Sequence, residues 1–436
     1  MRQAGARLSL FDAVSLVVGA VIGADVYVVA GLGAPLMGPA LLVDWALAGI
    51  VAALIALCFA QCAAIQPATG GPYAYVRATL GVVPAMIVGW ALYLAEWSAL
   101  AVFPVAAAGY LVDALGLGAV EVVAFKAVFV AFVTLTNLLG LRAAGTVDDV
   151  LTAAKLVPLA ALVAAVAAVT AQHPTLIGAR LVPIAPLGWG GFGAAFVLVF
   201  WAYAGFEVAS LPAGAMSHPR TTLPRGIMLG MLIAIAFYLF TSLAVFVAVP
   251  WMRIGQTTAP LALAMATTLS ALGIPAALGI GLMTAGAVVS IGGVGVATTL
   301  GTVELAATLA EHDIVPGILA HRSRRFGTRD VALLVQGGTT LAASLLFGLG
   351  VLIDISVFFL VLVYAATAVA TWVLLRRQPE RRLRVPLMGV IPFLAALASL
   401  AVGTGISLRD VGLGAALLGA AMLATLLERL WRHRRW

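Results

Sequence analysis

Residues 17–33 read VVGAVIGADVYVVAGLG, and residues 196–210 read FVLVFWAYAGFEVAS. Each is an apolar run of membrane-span character carrying glycine and one acid in its middle: Gly19, Gly23, Gly31, Gly33 and Asp25 in the first, Gly205 and Glu207 in the second. Glycine weakens a helix and a carboxylate in hydrocarbon needs a partner or a task, so both helices are expected to break near these residues. Unwound backbone at membrane depth is tolerated only where it is buried in protein or lines a cavity. Two interrupted spans in matching places of two halves point to an inverted-repeat transporter with its substrate site at the breaks. The competing reading is a pair of glycine-packed helices with stray acids.

The rest of the chain suits a membrane. Of 436 residues, 63% are hydrophobic and 9% charged, and the mean hydropathy is +1.14. Soluble domains run near ~45–50% apolar and about 25% charged, so a soluble enzyme is excluded. A spanning helix uses about 20 residues, which leaves room for about a dozen. Apolar runs place them at 12–34, 40–65, 82–112, 121–140, 150–172, 190–211, 225–249, 273–309, 330–350, 354–376, 385–404 and 410–431. All but five of the 24 Lys and Arg then fall on one side, the exceptions being Arg180, Arg253 and Arg409 outside and Lys126 and Lys155 within spans. Basic residues resist translocation, so both termini are expected in the cytoplasm and the net charge of +7 reads as topology, not nucleic-acid binding. The first apolar run is too long for a cleavable signal peptide. Cys58 and Cys62, one turn apart in the second span, read as pore-side or core thiols.

Four segments carry a resemblance. They are GAVIGADVYVVAG (19–31), PATGGPYAY (67–75), FWAYAGFEVASLPAGAMSHPRTTLPRG (200–226) and SIGGVGVATTLGTVELAATLAEHDIVP (290–316). In this order and at these spans they resemble the amino acid–polyamine–organocation transporter superfamily over nearly the whole chain. The resemblance implies an all-α integral membrane fold of 12 transmembrane helices, with two inverted five-helix repeats in which helices 1 and 6 are broken, plus two peripheral helices. The first repeat would occupy 10–172, the second 188–376, and helices 11 and 12 would fill 385–432, all within one domain. It also implies movement of amino acids and amines by alternating access.

The ionisable residues deepest in the spans are Asp25, Glu96, Lys155 and Glu207. Lys155, in DDVLTAAKLVPLAAL (148–162) and following Asn137-Leu-Leu-Gly, is similar to a lysine of proton-coupled relatives that stands where sodium-coupled ones bind their cation. Ser290 would be its neighbour on the eighth span. Burial makes a lysine's charge costly, which lets such a residue exchange a proton; the alternatives are a static ion pair or a side chain reaching to the interface. Glu207 matches an acid linked to transport in the arginine and polyamine exchangers, and Trp201 matches their aromatic gate. Glu207 can also be read as a buried acid pinning the unwound segment. Asp25 and Glu96 depart from the family, which has small residues there, and so do Gly214 and Val294, in place of a family acid and aromatic. A carboxylate at Asp25 would repel a substrate carboxylate and attract an ammonium; alternatively, Glu96 pairs with Lys155 or Asp25. Tyr73 and Tyr364 are candidates for an inner gate, while Asp44, Lys126 and Glu304 read as structural.

The expectation is a proton-coupled transporter of amino acids or small organic amines, tilted toward cations, in the plasma (inner) membrane. Its substrate would lie near Gly23, Ala24, Asp25, Glu96, Trp201, Ala204 and Glu207. The alternative within transport is an obligate amino acid/amine exchanger. An integral-membrane enzyme lacks support, since the five histidines fall in loops, end regions or the tail without metal-ligand spacing. A channel would want a repeated filter or a polar stripe. No cofactor is expected beyond the coupling proton, the partners are substrate and lipid bilayer, and the sequence leaves monomer and homodimer open.

Overall fold

The computed structural model describes residues 9–66, 70–140, 145–209 and 218–433. The motif residues 67–69, Gly214 and the basic residues Arg2, Arg7, Arg142, Arg434 and Arg435 lie outside them. Every regular element among the described residues is helical. In chain order the helices are α1 (Leu10–Val21), α2 (Asp25–Met37), α3 (Leu41–Ile65), α4 (Gly71–Leu80), α5 (Val82–Leu115) and α6 (Ala119–Leu138). Then come α7 (Gly145–Gln172), α8 (Thr175–Leu181), α9 (Phe192–Ala202), α10 (Phe206–Ala209), α11 (Pro219–Ala248) and α12 (Trp251–Ile254). The last are α13 (Pro260–Ala271), α14 (Ala276–Glu311), α15 (Asp330–Leu346), α16 (Leu349–Arg377), α17 (Ile391–Gly403) and α18 (Leu408–His433).

Local chemistry sets several of these ends. Ser9 starts α1 with a capping box: its hydroxyl accepts from the Asp12 N–H at 3.3 Å, and the Asp12 carboxylate accepts from the Ser9 N–H at 2.8 Å. Proline opens α11 and α13, where a missing N–H costs nothing. The α13 helix lies in the stretch 250–272, between the expected spans 225–249 and 273–309. It is a 12-residue apolar helix, too short to stand out as a span, and it packs against α14.

Among the described residues, eight helical stretches are long and apolar enough to cross a membrane, one of them running 10–65 and holding two expected spans; α9, α13, α15 and α17 are shorter apolar helices. The outer faces are apolar as well: on α6, Val128 is 66% and Phe132 56% exposed. A soluble protein hides such residues, whereas lipid accepts them. Cys58 and Cys62 are buried in the core, and the Cys62 thiol lies 3.1 Å from the Thr371 hydroxyl.

The two interrupted helices lie side by side in opposite directions. α1 packs on α10 and α2 on α9, so the end of one runs beside the start of the other. Around them α5 packs on α14 and α16, α3 on α11, and α17 and α18 attach from the side through α16. The α1–α11 contact depends on two glycines one turn apart. A Cβ at Gly226 would stand 2.6 Å from the Ala13 Cβ, and one at Gly230 2.5 Å from the Val17 Cβ. Small residues four apart let two helix backbones approach where no hydrophobic drive separates lipid from protein. Replacing Gly230 by Val should therefore push α1 off α11 and cost about 1–3 kcal/mol. A lowered melting temperature in detergent, larger than that of a Val substitution at the open Gly338, is the expected reading.

Candidate substrate site

Residues 22–24 leave helical geometry between α1 and α2, and 203–205 do so between α9 and α10. A helix end strands carbonyls on one side and N–H groups on the other, and at membrane depth each needs a partner. At the first break the carbonyls go to side chains: Lys155 Nζ donates to Gly19 O at 2.5 Å, and the Tyr238 hydroxyl to Val21 O at 2.7 Å. The N–H groups go to Asp25, whose Oδ1 accepts from Gly23 N at 3.1 Å and Val26 N at 2.6 Å. Its Oδ2 lies 2.9 Å from the same Tyr238 hydroxyl, whose one proton is shared between this oxygen and Val21 O. An acid on the first turn of α2 also faces the positive end of that helix.

The second break repeats the device. Glu207 Oε2 accepts from Gly205 N at 3.0 Å and from the Tyr364 hydroxyl at 2.9 Å. In both places a glycine N–H is held by the carboxylate two residues on, and a buried tyrosine braces the same acid. An aromatic cluster backs each: Trp45, Tyr203 and Tyr238 stand behind the first, and Phe59, Phe200, Phe206 and Tyr364 behind the second. The breaks also touch. Gly205 has φ +116°, and a Cβ there would lie 2.6 Å from Ala20 O.

Between the breaks, α5, α14 and α16 close a narrow cavity of about 40 Å³, so a substrate would enter only as these helices part. Ala20, Ala24, Ala95, Ala99 and Ala204 form much of its wall, with Phe103, Trp201, Val294 and Leu360 as larger apolar groups. Asp25, Glu96 and Glu207 also line it, and its described lining residues include no Lys, Arg or His. The Ser356 hydroxyl at the wall donates to Ala95 O at 3.0 Å.

All seven residues expected around substrate, Gly23, Ala24, Asp25, Glu96, Trp201, Ala204 and Glu207, come together on this cavity. Glu96 stands close enough to Glu207 for their charges to interact. The remaining candidates lie off the cavity. Lys155 holds the end of α1 and is close enough to Asp25 for its charge to act there. Ser290 faces the Tyr27 hydroxyl. Tyr364 braces Glu207, and Tyr73 packs on His312 beside Arg77. Lys126 donates to Ser344 O at 2.8 Å, and Glu304 lies 3.9 Å from Arg322 and 3.8 Å from Arg329. Sequence reasoning missed Tyr238, Phe103, Thr298 and Ser356. Among the described residues no group of three His, Cys, Asp or Glu could hold a metal ion.

The amino acid permease family model matches residues 8–411. The chain is 28% identical over 411 residues to a branched-chain amino acid permease of Bacillus subtilis, covering 90% of this chain and 86% of that protein. It is 26% identical over 409 residues to the methylthioribose transporter of the same organism, covering 89% and 86%. Among solved structures, a manganese transporter of Eremococcus coleocola shares the fold at a TM-score of 0.59 and 14% identity, over 97% of this chain and 93% of that one.

Gly205→Ala tests the contact between breaks. Its added methyl meets both an unfavourable φ and the Ala20 carbonyl, so substrate binding should fall by about tenfold or more even if the protein still purifies as a folded species. Tyr238→Phe strands a Val21 carbonyl and one oxygen of Asp25 and should cost about 1.5–3 kcal/mol in thermal or denaturant unfolding.

Proposed function

The chain belongs to the amino acid permease family, and from that premise we propose a proton-coupled secondary transporter of amino acids or small organic amines that favours cationic substrates. Membership makes it a multi-pass membrane transporter, as its relatives are, and not an enzyme. The finer reading places it in the plasma (inner) membrane with both termini cytoplasmic, and counts twelve spans in two inverted repeats. The antiparallel pairing of the two broken helices supports the repeats. Transport is then alternating access about the breaks, with Trp201 closing over substrate from one side and Tyr73 and Tyr364 bracing the inner side.

The observation that carries the cation preference is the set of three carboxyls, Asp25, Glu96 and Glu207, on a cavity with no basic residue among its described lining residues. Two unit charges 4 Å apart interact by about 4 kcal/mol at an effective dielectric of ~20. A substrate ammonium therefore gains where a substrate anion loses. Proton coupling is assigned to Lys155, which links α7 to the end of α1: loss of its proton removes the charge that holds Gly19 O and acts on Asp25. A proton entering with the membrane potential gains about 2.3 kcal/mol per 100 mV.

Reconstitution into liposomes tests both parts. An imposed inward proton gradient should accumulate arginine, lysine or a diamine without internal substrate, ahead of leucine and glutamate. Uptake that appears only when the liposomes are preloaded would make the protein an exchanger. Lys155→Ala should bind substrate but lose the pH dependence of uptake. Glu96→Gln should weaken cation binding by about tenfold, and unchanged affinity would remove Glu96 from the site.

A further inference from the structure

We infer that Asp25 occupies, from within the chain, the place where an α-amino acid would dock its carboxylate, so that the site takes a small amine with no carboxylate beside its ammonium. The inference rests on the cavity being the substrate site, as proposed above, and narrows the substrate class. A broken membrane helix offers an anion the stranded N–H groups of its second half. Here Gly23 N and Val26 N, on either side of Ala24, both donate to one oxygen of Asp25. The other oxygen is held by Tyr238, a residue 0% exposed, so the carboxylate is fixed in this pose from two sides. At the second break the Gly205 N–H is likewise held by Glu207. A substrate carboxylate seeking these donors would displace a built-in acid and stand against its charge.

The rest of the cavity offers an anion only uncharged donors, the Thr298 hydroxyl and the Trp201 indole N–H. Among its described lining residues there is no Lys, Arg or His, and the Ser356 hydroxyl already donates to Ala95 O. An ammonium fares differently, since Asp25, Glu96 and Glu207 all present acceptors to the same space. Beyond them the wall is alanine, Val294, Leu360, Phe103 and Trp201. These match a hydrocarbon body, with an aromatic face available to a cation. The geometry therefore fits an alkyl mono- or diamine: one charged end among the acids and a short apolar chain along the alanines.

Matched pairs that differ only by the carboxylate give the test. Binding of agmatine against arginine, cadaverine against lysine, and isoamylamine against leucine is measured by titration on the purified full-length protein. Each amine should bind more tightly than its parent amino acid by about tenfold or more. Asp25→Ala, which frees the N–H groups and removes the charge, should narrow or reverse that preference by admitting the amino acids. Arginine and lysine binding as tightly as their amines overturns the inference while leaving the cation reading intact. Leucine binding ahead of every cation overturns the cation reading as well. No binding by any amine overturns the inference too. The wild-type comparison decides the matter even if the variant does not fold.

Discussion

No backbone N–H or C=O can be abandoned in hydrocarbon, and the two broken helices obey that constraint with side chains. Lys155 and Tyr238 take the carbonyls at the end of α1, Asp25 takes N–H groups at the start of α2, and Glu207 takes the N–H of Gly205. Charges in a membrane are expensive, yet stranded backbone groups are expensive too. Each cost offsets the other here. The same carboxylates that complete the backbone also face the cavity, so the electrostatics of the site follow from the repair of the helices.

Packing ties these repairs to different neighbours. The first break is held from α7 by Lys155 and from α11 by Tyr238, while the second is held from α16 by Tyr364. α1 is further locked to α11 by the close approach at Gly226 and Gly230. α1 is thus tied to α11, and α10 packs on α1 as well. The contact between Gly205 and Ala20 is where the second break meets the first broken helix.

Much of the site was legible because acids and glycines are rare signals in apolar runs. Asp25, Glu96 and Glu207 could be singled out by type alone, and the glycines beside two of them marked the breaks. Their pairing was not legible. That Glu96 meets Glu207 depends on how α5 crosses α10, which no local pattern encodes. Tyr238 was missed because a tyrosine in an apolar helix carries no mark of being a brace, and Thr298 and Ser356 because hydroxyls are ordinary in membrane helices. Lys155 stood out as a charge, but its position off the cavity, on Gly19 O, is a tertiary fact. The short helix α13 escaped because twelve apolar residues between two longer runs fit a loop as readily as a helix.

The alanine wall has an evolutionary corollary. Ala20, Ala24, Ala95, Ala99 and Ala204 are already nearly as small as a side chain can be. A mutation at any of them, short of glycine, takes volume from the cavity, while Phe103, Trp201, Val294 and Leu360 are the positions with volume to give. Drift in these helices is therefore lopsided. Most single changes shrink the cavity, and only a few residues can enlarge it.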